Sequence, residues 1–249
     1  FGILWCMAVL LSAIFPAKAI LAGQKGVSCP PLAGVQGVDK CESSEANRTQ
    51  QSLSGYVDKT AKAEVVQKVK KLQIPFIANN GQTNERVKFY ANTFGGTVFI
   101  TKEGEIVYSL NGDGASRIAL KETLIGGKVR GVTGKDTTIT NVNYFKGKDP
   151  SQWKTGITTY DAITLGEVYK GIELRLKAYG NNVEKLFYVK PEANPELIGL
   201  TLNGAKALLV NEEGQLVAET ELGAVKFTKP VAYQEINGKR VDVECKYTI

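Results

Sequence analysis

Two hydrophobic periods divide the chain at Pro75. Before it, Val57, Ala61, Val65, Val69 and Leu72 recur at intervals of four, four, four and three, which draws one apolar stripe along a helix. Lys59, Lys62, Lys68, Lys70 and Lys71 fall mostly on the other faces. The pattern predicts a helix over about residues 57 to 73. It ends at Ile74-Pro75, because a residue before proline is pushed out of helical backbone space.

Beyond Pro75 the period is two. KGIELRLKAY places Ile172, Leu174, Leu176 and Ala178 on one side and Glu173, Arg175, Lys177 and Tyr179 on the other. RVDVECKYTI alternates in the same way, with Val241, Val243, Cys245, Tyr247 and Ile249 against Asp242, Glu244, Lys246 and Thr248. Turn residues punctuate the strands. KEGE (102–105) separates TVFIT from IVYSL, NEEGQ (211–215) separates ALLV from LVAET, and ING (236–238) suits a tight Asn-Gly hairpin. Many short strands, one early helix and no strand–helix alternation predict a mainly β fold. The form expected is an antiparallel β-sandwich over residues 57–249 with one N-terminal helix. The alternation is still running at Ile249, which predicts further protein beyond it.

The first residues read differently. FGILWCMAVLLSAIFPAKA is an apolar run, too short to span the roughly 30 Å hydrocarbon core with ease. It breaks at Pro16, and Ala17 and Ala19 flank a bond of the kind a signal peptidase cuts. Residues 1–19 are therefore expected to be a signal peptide lacking its front, with an uncleaved anchor as the rival. Export follows, with the mature chain secreted or at the cell surface and carrying no membrane span. Residues 20–56, rich in Gly, Ser, Gln and Asn and without a period, read as a poorly ordered linker.

Export also makes the cysteines legible. Cys29 and Cys41 lie close together in a Pro/Gly-rich stretch, where a disulfide would contribute about 3 kcal/mol. Cys245 is then the odd one, expected as a buried free thiol on the inward face of the last strand. A bridge from it to Cys29 or Cys41 would require the linker to reach the sheet's interior.

Charge and composition narrow the chemistry. A net charge of +6 invites a nucleic-acid reading, but the lysines are interleaved with glutamate, as in KAEVVQKVKK, and form no basic block. No nucleic-acid partner is expected. The sequence contains no histidine, which removes Ser-His-Asp and Cys-His nucleophile activation and histidine-ligated zinc.

No other motif restores a catalytic or metal site. GGKVRGVTGKD (126–136) has Val129 where a phosphate loop needs glycine, and Asp136 where it needs a hydroxyl, so a loop between strands is expected. NGDGAS (111–116) offers one carboxylate, Asp113, where calcium wants several oxygen ligands. No acid pair stands close in sequence, although acids from distant strands could meet. No catalytic residue, metal ligand or cofactor is expected.

Two polar stretches remain as candidates. In PFIANNGQTNERVKFYAN (75–92), Asn79, Asn80, Gly81 and Gln82 form an amide-rich turn ahead of a strand carrying Val87, Phe89 and Ala91. It reads as an Asx-type turn bonded to its own backbone, or as a polar pocket with Asn80 and Gln82 as ligand donors. In NYFKGKDPSQWKT (143–155), Asn143, Tyr144 and Phe145 end a strand, GKDP turns, and Trp153 begins the return. That is either a corner whose Trp153 plugs the core, or part of a stacking platform of Tyr144, Trp153 and Tyr160 for a sugar.

Taken in order, NYFKGKDPSQWKT…YDAITLGEVYKGIEL, the earlier NNGQTNERVKFYA and the later PEANPELIGLTLNGA…EEGQLVAET…KPVAYQEINGKRVDVECKYTI carry a resemblance. Together they resemble an uncharacterised domain at the front of secreted bacterial proteins, ahead of SBBP-type β-propeller repeats. Similar chains in the Bacteroidota carry gliding-motility or type IX sorting modules at their far end. The resemblance covers about residues 57 to 249 and implies an all-β surface module with no assigned catalytic residues. The leading expectation is a non-enzymatic structural or interaction module whose partners are the following propeller repeats. A surface glycan or protein is a further possible partner. A carbohydrate-binding module is the first alternative, and a carboxylate-dependent hydrolase the second.

Overall fold

A computed structural model describes residues 72–111 and 116–249 in full and residues 7–14 by their backbone course. It is mainly β. Residues 57–71 of the predicted helix lie outside the described residues, as do the linker, Cys29, Cys41 and Asp113.

The apolar run at the N-terminus forms β1 (Met7–Ile14). Next come β2 (Gln73–Ile74) and β3 (Phe76–Ala78), so the end of the predicted helix is corrected: residues 73 and 74 are extended. Gln73 and Ile74 pair with the strand at Tyr179 and Ala178 instead.

A four-stranded meander follows: β4 (Val87–Thr93), β5 (Gly96–Thr101), β6 (Ile106–Asn111) and β7 (Arg117–Leu124). Two long strands, β8 (Thr133–Tyr144) and β9 (Lys154–Tyr169), form a hairpin, and β10 (Ile172–Tyr179) and β11 (Asn182–Val189) form another. Short strands complete the chain: β12 (Leu200–Asn203), β13 (Ala207–Val210), β14 (Leu216–Thr220), β15 (Gly223–Phe227), β16 (Val231–Ile236) and β17 (Lys239–Val243).

The pairings are antiparallel. Hydrogen bonding runs from β12 through β7, β6, β5, β4 and β3 to β9, then through β10 and β11 to β1 and β16. The ribbon does not close into a barrel; it folds over on itself like a sandwich. One core unites Phe89, Ile100, Tyr108 and Leu120 of the meander with Leu165, Leu174, Leu176 and Phe187 of β9 to β11. Alternation accounts for this directly. Ile172, Leu174, Leu176 and Ala178 are each 0% exposed, while Glu173, Arg175 and Lys177 between them reach solvent.

The predicted turns are in place. Asn237 (φ 53°) and Gly238 (φ 73°) take the left-handed pair that a two-residue hairpin between β16 and β17 requires. The last strand, however, stops at Val243. Among the described residues β17 has ladder pairing only with β16, and Val241 is 45% exposed. Residues 244–249 leave the sheet but stay against the core, held where the Tyr247 hydroxyl donates to Thr228 O at 2.9 Å. The unbroken alternation in RVDVECKYTI therefore overstates the strand and misplaces Ile249, which is 75% exposed, whereas Val243, Cys245 and Tyr247 do pack against the core, only partly buried. Among the described residues, no helix is long and apolar enough to cross a membrane.

Candidate functional site

The amide-rich turn is spent on itself. Asn79 Oδ1 accepts from the backbone N–H of Gly81 (3.0 Å) and Thr83 (3.3 Å), and its Nδ2 donates to Asn84 O and Val87 O. Gln82 Oε1 accepts from Asn80 N–H at 2.7 Å, and Gln82 Nε2 donates to Ala78 O at 2.6 Å. These bonds supply partners that a loop backbone would otherwise lack, which is the Asx-type reading. Gln82 thus has little left for a ligand. Asn80 sits exposed at the turn's tip.

The aromatic corner also turns inward on itself, though not as a core plug. Trp153 is 39% exposed and Tyr144 37%, so the expectation that Trp153 fills the core is corrected. Among the described residues the hairpin tip is left open to solvent, with Phe145 61% exposed. There Phe145 and Trp153 meet edge to face, with centroids 5.2 Å apart and planes at 82°. Trp153 Nε1 donates to Gly147 O at 3.3 Å, and Asp149 caps the following turn by accepting from Ser151 N–H. That backbone bond, with the Ser151 hydroxyl beside it, holds the Asp149 carboxyl below the usual carboxylate range.

Tyr160 lies elsewhere. Its ring packs at 5.5 Å, edge to face, on Phe89, and it occupies the space above Gly134, where a Cβ would come within 2.3 Å of it. The three aromatic candidates are therefore not brought into one platform. GVTGKD is part loop and part strand, since β8 begins at Thr133.

The structure assembles a different polar centre that the motif reading passed over. Lys185 on β11 and Glu122 on β7 face each other across the sandwich, with Lys185 Nζ 2.9 Å from Glu122 Oε1. Their side chains are 1% and 4% exposed. The Tyr108 hydroxyl donates to Glu122 Oε2 at 3.2 Å, and the ammonium lies 5.0 Å from the centre of the Phe227 ring. Burial, and then the Glu122 charge, push the Tyr108 phenol well above its ordinary value. The same two causes raise Tyr247.

This pair forms the floor of a chamber of about 680 Å³. Leu200, Leu202, Leu208, Leu216 and Phe227 wall it, and Cys245 and Tyr247 also line it. A signal for the pair was present in the sequence. Lys185 shares the parity of Val183, Phe187 and Val189, and Glu122 that of Ile118, Leu120 and Leu124. Two parity violations of opposite sign, on separate strands, point to a buried ion pair.

Cys245 is a free thiol, partly rather than fully buried, and burial raises its pKa. It is expected to alkylate more slowly than a solvent-exposed thiol at pH 8, with a rate still climbing above about pH 9 as the thiolate forms. Site-resolved mass spectrometry after iodoacetamide treatment checks this; labelling as fast as that of a free thiol at pH 7 would contradict the placement. Among the described residues, no group of three or more Cys, Asp or Glu side chains is gathered as a metal site would need.

A family model described as a domain of unknown function, DUF7948, matches residues 76–249. No curated protein and no solved structure matches the chain.

Proposed function

The chain belongs to the DUF7948 family, and from that premise we propose that it is a non-enzymatic structural or interaction module of a secreted or cell-surface protein. The observation that carries this reading is the perpendicular packing of Phe145 and Trp153 at the β8–β9 tip. A sugar-stacking platform needs flat, jointly exposed ring faces. Here one ring's edge covers the other's face, and Tyr160 is committed to Phe89. Asn79 and Gln82 are likewise occupied by backbone, so both candidate stretches serve the fold.

In the finer reading, the module precedes SBBP-type β-propeller repeats in a bacterial protein of the Bacteroidota type, with a gliding-motility or type IX sorting module at the far end. The ordered segments from NNGQTNERVKFYA to EINGKRVDVECKYTI support this. Residues 1–19 act as the export signal. β1 pairs along its length with β11 and partly with β16, pairings that cleavage would remove.

The test is made on protein recovered from the culture medium or cell surface. An N-terminus at Ile20 and a mass well above 27.0 kDa are expected. An N-terminus at Phe1 or earlier would overturn the export reading, and a species no larger than this chain would overturn the repeat-array reading.

A further inference from the structure

We propose that the chamber walled by Leu202, Leu208, Leu216 and Phe227 binds an uncharged, mainly apolar small molecule carrying one hydrogen-bonding group. Its volume, about 680 Å³, lies within the range of small-molecule sites, and its walls are leucines that are only partly buried by protein. A body of hydrocarbon character fits such walls.

The floor decides the head group. Lys185 and Glu122 neutralise each other at 2.9 Å, and Tyr108 supplies a further hydrogen bond to the carboxylate. A carboxylate brought to Lys185 would meet the Glu122 carboxylate, and an ammonium brought to Glu122 would meet the Lys185 ammonium. Both repulsions act where little water screens them. A hydroxyl or amide N–H meets neither penalty, because a carboxylate oxygen already accepting one bond keeps a second lone pair. The rim repeats the balance: Glu196 and Lys246 both line it, so no net charge selects an ion there.

The chamber is assembled from β7, β11 and β12 to β15, with the segment 245–249 completing its lining. That origin makes it independent of the hairpin tip on which the proposed function rests.

The test is a fluorescence titration of the 249-residue chain with N-phenyl-1-naphthylamine, a neutral aromatic probe with one N–H. Saturable enhancement is expected. Leu208→Trp, which fills the chamber, is expected to weaken binding about tenfold or more while circular dichroism and the melting temperature report an intact fold. Leu202→Phe serves as the second filling variant should Leu208→Trp fail to fold.

Decan-1-ol is expected to displace the probe, with decanoate and decylammonium at least about tenfold weaker. Absence of saturable binding, or binding unaltered in the folded filling variants, would overturn the site. Decanoate or decylammonium competing as well as decan-1-ol would overturn the ligand class. Probe binding lost in a longer polypeptide that contains this chain would assign the chamber to neighbouring protein, and so would also overturn the proposal.

Discussion

Glu122→Ala is expected to lower the unfolding free energy by about 3–5 kcal/mol, the largest effect of any single polar substitution in the sandwich. The cost arises from what is left behind. Lys185 is 1% exposed, and among the described residues its ammonium would keep the Tyr108 hydroxyl at 3.4 Å and the ring faces of Phe227 and Tyr108. An ammonium without a counter-charge in the core must either lose its proton or draw in water, and both routes destabilise the native state. Natural domains hold about 5–15 kcal/mol in total, so a substantial unfolded fraction is expected.

The double variant Glu122→Leu with Lys185→Met separates the origin of this cost from the loss of an attraction. Removing both charges at similar volume is expected to be neutral, or stabilising by about 1–4 kcal/mol. Urea denaturation with m-values checks all the variants. A Glu122→Ala cost below about 1 kcal/mol, the level of an exposed ion pair, would show that the pair is not buried as described.

Phe227→Ala is expected to cost a comparable 3–5 kcal/mol, roughly, through lost packing. Phe227 is 2% exposed, stands edge-on to Tyr108 at 6.4 Å and 80°, and lies under the Lys185 ammonium. Its loss removes a wall of the chamber and a ring that partly solvates the buried cation. The sheet around it cannot collapse freely, because Leu216 pairs with Phe227 across β14 and β15. Phe227→Leu, which keeps most of the volume, is expected to recover most of the loss. Thermal unfolding of the two variants is the check; equal stability of Phe227→Ala and the parent chain would contradict the packing.

The parts of this fold legible in the sequence are those in which one physical rule acts alone. Ile172 to Ala178 alternate because one face of β10 is buried along its whole length. The Asn237-Gly238 turn is legible because two left-handed residues in a row leave few alternatives. Where two rules compete, the sequence misleads. Val241 to Ile249 alternate as faithfully as β10, yet β17 ends at Val243, since pattern carries no information about whether a partner strand extends that far. The apolar stripe ending at Leu72 runs into residues whose backbone is claimed by the C-terminal end of β10, where Ile74 pairs with Ala178 and Gln73 with Tyr179, a contact distant in sequence and invisible locally.

The candidate site was less legible than the fold for the same reason. Trp153 and Asn79 attract notice because they are large or polar in a turn, but their partners are local, and local partners are what a turn needs. Lys185 and Glu122 look like ordinary surface residues, and only their strand parity betrays them. Their meeting depends on how β7 and β11 face each other across the sandwich, which no local pattern specifies.

The corner therefore carries the functional account, and Trp153 reports on it directly. The chain holds two tryptophans, Trp5 and Trp153, so a polypeptide of residues 20–249 has Trp153 as its sole indole emitter. We expect the emission of residues 20–249 to be unaltered by cello-, xylo- and manno-oligosaccharides, because the Trp153 ring is already packed edge to face with Phe145 and tied to Gly147. A saturable shift in emission with any of these sugars, lost in Tyr144→Ala, would contradict the scaffold reading and establish the tip as a carbohydrate site.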